Sequence, residues 1–183
     1  MGQEKIILGI DPGTNIMGYG LILSKDKKIE LMSLGILKLG KYTNHPLKLQ
    51  KIFERVLSLV EEYKPDEFAI EAPFYGKNVQ SMLKLGRAQG VAMAAALSRN
   101  VPIFEYSPRK IKQSITGKGN ASKEQVAAMI CNLLSIKEQP AQLDATDSVA
   151  VAVCHYFQQG PAGAEKKYSG WKAFIKENPK RTI

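Results

Sequence analysis

The apolar residues of this chain fall into two kinds of stretch. Ile6-Ile7-Leu8-Gly9-Ile10 is a short continuous run that ends on the turn sequence Asp11-Pro12-Gly13-Thr14, and it reads as a buried strand. Met17–Ser24 and Ile29–Leu39 continue as two further strands, joined by the charged turn Lys25–Lys28. Leu49, Ile52, Phe53, Val56, Leu57 and Val60 then recur at helical spacing, with Pro46 suited to the first turn and Lys64-Pro65 to the stop. Glu67–Ala72 reads as a buried strand, Val79–Arg99 as a long alanine-rich helix and Val101–Tyr106 as a fifth strand. A basic loop follows, and the spacing predicts two closing helices over Lys123–Leu134 and Asp144–Gln158. Three strands in a meander, followed by alternating helices and strands, predict an α/β fold. It should be a mixed five-stranded sheet with helices on both faces.

Four acids stand at the ends of these apolar segments. Asp11 closes the first strand, Glu71 closes Phe68-Ala69-Ile70, and Asp144 and Asp147 open the last helix. A buried carboxylate is costly unless it is paired, hydrogen-bonded or bound to a metal. Ligands of open α/β sheets gather beyond the carboxyl ends of the strands, where adjacent parallel strands would bring Asp11 and Glu71 together. Asp144 and Asp147, three apart, share one helix face, and the helix dipole favours both. Hard oxygen donors of this kind suit Mg²⁺ or Mn²⁺. Two such ions roughly 3.5–4 Å apart clamp the attacking and leaving oxygens of a phosphodiester. Taken singly, each acid also has a plain structural role. Asp11 suits a turn, Glu71 a solvent-facing strand end, Asp144 a helix cap, and Asp147 a first-turn charge.

Composition sets the outer bounds. With 183 residues and 44% hydrophobic content, the chain suits one domain, expected over residues 1–159. From Gly160 onward Gly, Pro, Lys and Ser dominate, which predicts a flexible basic tail over 160–183; Trp171, Phe174 and Ile175 leave open a docked apolar turn. The tail accounts for +4 of the net charge of +9, so the remainder is basic despite its four clustered acids. An acidic centre in a phosphate-attracting surface fits that contrast, as does a merely well-solvated surface. No apolar stretch reaches the length of a membrane span, and no signal-peptide pattern opens the chain. Cys131 and Cys154 read as free buried thiols of a reducing cytoplasm, and two cysteines with two histidines lack the spacing of a zinc site.

The segment Ser107–Lys123 carries Arg109, Lys110, Lys112, Lys118 and Lys123, interrupted by Gly117 and Gly119. Flexible glycines let backbone approach phosphates while the cations neutralise them, so phosphate binding is expected here; a solvated loop is the alternative. Gly86, Gly90 and Ala94 fall at four-residue steps that admit close approach of another backbone, either this chain's own sheet or a second subunit. His155 reads as a helix residue rather than a ligand, and His45 as a helix start.

Ile10-Asp11-Pro12-Gly13-Thr14 with Gly18-Tyr19-Gly20 resembles the opening motif of the RuvC-type Holliday junction resolvases. The resemblance continues through Ala69-Ile70-Glu71 with Phe74, Lys77-Asn78, Leu83–Gly90, Phe104-Glu105-Tyr106, Arg109-Lys110, Lys112-Gln113 and Gly117-Lys118-Gly119, and ends in Asp144-Ala145-Thr146-Asp147-Ser148. It spans about residues 6–158 in the family's order. It implies an RNase H-like fold, a homodimer, and Mg²⁺-dependent symmetric nicking of four-way DNA junctions, with Mn²⁺ able to substitute and two ions per subunit. The family's catalytic acids fall on Asp11, Glu71, Asp144 and Asp147. DNA contacts are implied at Phe74, Lys77, Arg109, Lys112, Lys118 and Lys123, with Phe74 a wedge against an unstacked base. A RuvA–RuvB branch-migration complex is the implied partner. Two other classes share parts of the pattern. A phosphotransferase of the actin and sugar-kinase type has the same Asp-x-Gly-Thr loop but generally needs a second domain. A non-cleaving module for structured nucleic acid gains nothing from four acids that repel phosphate.

Overall fold

A computed structural model describes residues 4–26, 28–73, 78–136 and 143–159. Strands β1 (Lys5–Asp11), β2 (Ile16–Lys25) and β3 (Lys28–Lys38) form an antiparallel meander. β4 (Glu67–Glu71) pairs parallel with the free side of β1, and β5 (Ile103–Tyr106) pairs parallel with β4. The sheet order is β3-β2-β1-β4-β5, the mixed five-stranded arrangement that the pattern predicts.

Strand alternation sorts the buried side chains between two cores. Leu8, Ile10, Phe68 and Ile70 pack with α1 (His45–Tyr63) and α2 (Val79–Leu97) on one face. Ile7, Ile22 and Ala69 pack with α3 (Pro108–Thr116), α4 (Lys123–Leu133) and α5 (Leu143–Gln159) on the other. α5 is the central helix of its layer, buried almost continuously from Ala145 to His155 and in contact with every strand. It starts at Leu143, so Asp144 lies within its first turn rather than capping it.

One element departs from expectation. Residues 108–116 form helix α3 instead of a basic loop. The Ser107 side chain accepts from the Lys110 amide, Pro108 fills the first turn, and Gly117 ends the helix at φ 75°. Only Ile111 and Ile115 are buried, a single i,i+4 pair, so apolar periodicity is faint among the lysines. The cations of this segment therefore sit on a rigid scaffold. The expected tail 160–183 lies outside the described residues.

Candidate active site

Asp11 is the last residue of β1 and pairs across to Gly18 on β2. On the other side Ile10 pairs with Ile70, which sets Asp11 beside Glu71 at the end of β4. The remaining two acids arrive on α5, and glycines determine how closely they arrive. A β carbon on Gly18 would overlap the carbonyl of Asp144, one on Gly9 would overlap that of Ser148, and one on Gly20 would meet the Val149 backbone at 2.9 Å. Gly9 and Gly20 are cross-strand partners, so these glycines form a groove over β1 and β2 in which the α5 backbone lies directly on the sheet. Gly18 and Gly20 alternate within an apolar strand, and glycine at such positions marks close backbone approach. That signal was present in the sequence, but the role it serves was not.

The groove delivers the cluster. Carboxylate oxygens of Asp11, Asp144 and Asp147 lie within 4.8 Å of one another. Glu71 stands outside this closest group but joins Asp11, Asp147, Lys112 and Lys123 around a cavity of about 230 Å³. Pro108, Ile111, Val126 and Ala150 make its apolar wall, to which α3 contributes Pro108 and Ile111. Asp144 is the more open helix acid, its side chain 35% exposed against 13% for Asp147.

Burial and like charge shape the titration. Burial, then the neighbouring Glu71 and Asp147, push Asp11 up to about 8. Burial, then Asp147, push Glu71 up to about 7. Asp147 is also raised, by burial first, although a hydrogen bond from Lys123 opposes the rise. The Lys123 ammonium lies 2.5 Å from Asp147 Oδ2 and 3.6 Å from Asp144 Oδ1. Burial lowers the Lys123 pKa, but the hydrogen bond and the surrounding acids outweigh it and raise the value. Burial and mutual repulsion oppose the ionisation of Asp11, Glu71 and Asp147 together, a charge that a divalent cation compensates, and with Asp144 all four acids offer hard oxygens.

Of the cations singled out in the sequence, Lys112 and Lys123 line the cleft. Arg109 and Lys118 do not. The Arg109 stem lies against Gly119, where a β carbon would come within 2.6 Å of Arg109 Cγ, and Lys118 is exposed in the following turn. Phe74 and Lys77 lie outside the described residues. Gly86, Gly90 and Ala94 do not pack on the chain's own sheet; Ala88, Ala92, Ala95 and Ala96 do, and a β carbon on Gly86 or Gly90 would meet nothing within 4 Å.

A family model for Crossover junction endodeoxyribonuclease RuvC matches residues 7–155. The chain is 65% identical to the RuvC of Cytophaga hutchinsonii over 96% of its own length and 87% of that protein. It is 61% identical to the RuvC of Bacteroides fragilis, over 98% and 96%. Among solved structures, Thermus thermophilus RuvC in complex with Holliday junction substrate superposes with a TM-score of 0.78 at 31% identity, covering 84% of this chain and 94% of that one. The yeast mitochondrial resolvase Ydc2 shares the fold at 16% identity, with a TM-score of 0.60. The chain belongs to the RuvC family of crossover junction endodeoxyribonucleases.

Proposed function

We propose that this protein resolves four-way DNA junctions by nicking two strands of like polarity, with Asp11, Glu71, Asp144 and Asp147 as the catalytic acids. The observation that carries the reading is the convergence of Asp11, Asp144 and Asp147 within 4.8 Å at a strand end shared with Glu71. Mg²⁺, with Mn²⁺ as a substitute and two ions per subunit, would be held by these four acids and would supply Lewis-acid stabilisation of the scissile phosphate and activation of the attacking water.

The chain's own groups do the rest. Among the described residues Lys112 and Lys123 bring ammonium groups to the cleft, so a phosphate drawn into it meets both. Pro108, Ile111, Val126 and Ala150 keep water from one wall, which strengthens every charge interaction inside. Lys123 serves as the standing counter-charge of Asp147 in the cation-free protein. Arg109 and Lys118, exposed beyond the cleft, would contact flanking backbone, and Phe74 and Lys77 would contact the junction as the family resemblance implies.

A two-fold dimer would present two such sites to one junction. Val79, Leu83, Gly86, Gly90, Ala94 and Leu97 make a continuous stripe along the face of α2 turned away from the sheet, and Val79, Leu83 and Leu97 are each more than half exposed. An apolar stripe with glycines at its centre suits close packing against its own copy. The family context adds a RuvA–RuvB partner and a cytoplasmic setting; among the described residues no helix is long and apolar enough to cross a membrane. Synthetic four-way junctions assayed beside linear duplex, in Mg²⁺ and in EDTA, test the reading. Paired nicks confined to the junction and to Mg²⁺ are expected, whereas equal cutting of duplex would refute structure selectivity.

A further inference from the structure

Around the starts of β1 and β4, the ends away from the acids, lies a second, half-buried polar cluster. The Lys5 ammonium donates to Glu67 Oε1 at 2.7 Å, and His155 Nε2 lies 2.9 Å from Glu67 Oε2. His155 Nδ1 is 2.7 Å from the Tyr106 hydroxyl, and the imidazole stacks on Phe104 with ring centroids 4.2 Å apart. Gln159 accepts from Lys5 and donates to Glu67. His155 is 1% exposed, so each ring nitrogen meets its partner away from solvent.

The charged members of this cluster lie on the elements that bear the acids, whereas Tyr106 ends β5 as the register partner of Glu71 and reaches back to His155. Lys5 begins β1, which ends in Asp11. Glu67 begins β4, which ends in Glu71. His155 lies on α5, eight residues beyond Asp147, a separation of about 12 Å along the helix. The elements that deliver the four acids are thus tied together at their far ends. On the sheet-facing side of α5 the other contacts are mainly apolar or backbone-on-glycine, and apolar contact is non-directional. A slip of one residue would move α5 by about 1.5 Å and turn it by about 100°, enough to scatter the acids.

We infer that Glu67 and His155, with Lys5 and Tyr106, are positioning residues that hold β1, β4 and α5 in the register at which the four acids share cations. The inference rests on the metal-site reading above. The hydrogen bonds supply direction where the apolar core supplies only adhesion, and rigid elements carry that register to the site.

Mn²⁺ binding to the full chain without DNA, followed by electron paramagnetic resonance beside the melting temperature, tests this. Glu67→Gln and Lys5→Met should weaken Mn²⁺ binding by about three- to tenfold while folded, somewhat less than loss of a group bonded directly to a metal ligand. Lys5→Arg should recover most of the Lys5→Met loss. Tyr106→Phe, which keeps the ring and removes only the hydroxyl, should shift binding in the same direction by less. Wild-type binding with unaltered affinity in all variants, whatever their melting temperatures, overturns this inference alone. Wild-type protein that binds no Mn²⁺ overturns the metal-site reading and this inference with it.

Discussion

Gly18 lies so close beneath Asp144 that any β carbon on it would overlap the Asp144 carbonyl. Because Gly18 is also the cross-strand partner of Asp11, one glycine sets the distance between a strand acid and a helix acid. Gly18→Ala should therefore lift the start of α5. We expect a stability loss of about 1–3 kcal/mol from overpacking. The half-saturating Mg²⁺ concentration for cleavage should rise by about tenfold. Cleavage titrated against Mg²⁺ checks this, and an unchanged titration would mean that the groove does not place the acids.

Proton linkage gives a second prediction. Asp11 and Glu71 titrate at about 8 and about 7 in the folded protein, against 3.8 and 4.5 ordinarily. Across that interval the folded state keeps protons that the unfolded chain has released, so the contribution of these two acids to cation-free stability is fully present below about pH 4 and is lost as pH rises toward about 8. Divalent cations reverse the trend by compensating the ionised acids. The increase in melting temperature on adding Mg²⁺ should be larger at about pH 8.5 than at about pH 6, at roughly 2–4 °C per kcal/mol for a domain of this size. A shift independent of pH would contradict the assignment. Asp11→Asn should itself raise the cation-free melting temperature at the higher pH.

Lys123 makes a third, because it competes for the site it serves. Its ammonium holds Asp147 at 2.5 Å where a cation would otherwise find a free carboxylate. Lys123→Met should bind Mn²⁺ several-fold more tightly, since the competing charge is gone, yet cleave more slowly because a phosphate donor is lost. Paired measurements of Mn²⁺ affinity and single-turnover rate decide it. Weaker Mn²⁺ binding would show that the lysine supports the acids rather than opposing the ion.

Much of this site was legible in sequence because its signals are local. Asp11 and Glu71 end apolar runs, and Asp144 and Asp147 share a helical face, so the apolar pattern, with the gathering of ligands at the carboxyl ends of strands and the family resemblance, points to one end of the sheet. α3 was not legible, because Ile111 and Ile115 are its only buried residues and charge obscured its Ser107-Pro108 start. The same charge hid a division of labour that only packing reveals, with Lys112 and Lys123 inside the cleft and Arg109 and Lys118 outside. The groove of Gly9, Gly18 and Gly20 and the Glu67–His155 cluster depend on pairs far apart in the chain, which no window of residues contains.

Asp11→Asn assayed on a synthetic four-way junction tests the central claim most directly, with junction binding and nicking measured on the same preparation. The substitution keeps the side chain's size and removes one charged oxygen donor. Junction binding should persist while nicking in Mg²⁺ falls to the level of the wild type in EDTA. Nicking at the wild-type rate would contradict a shared cation held by Asp11 and its neighbours.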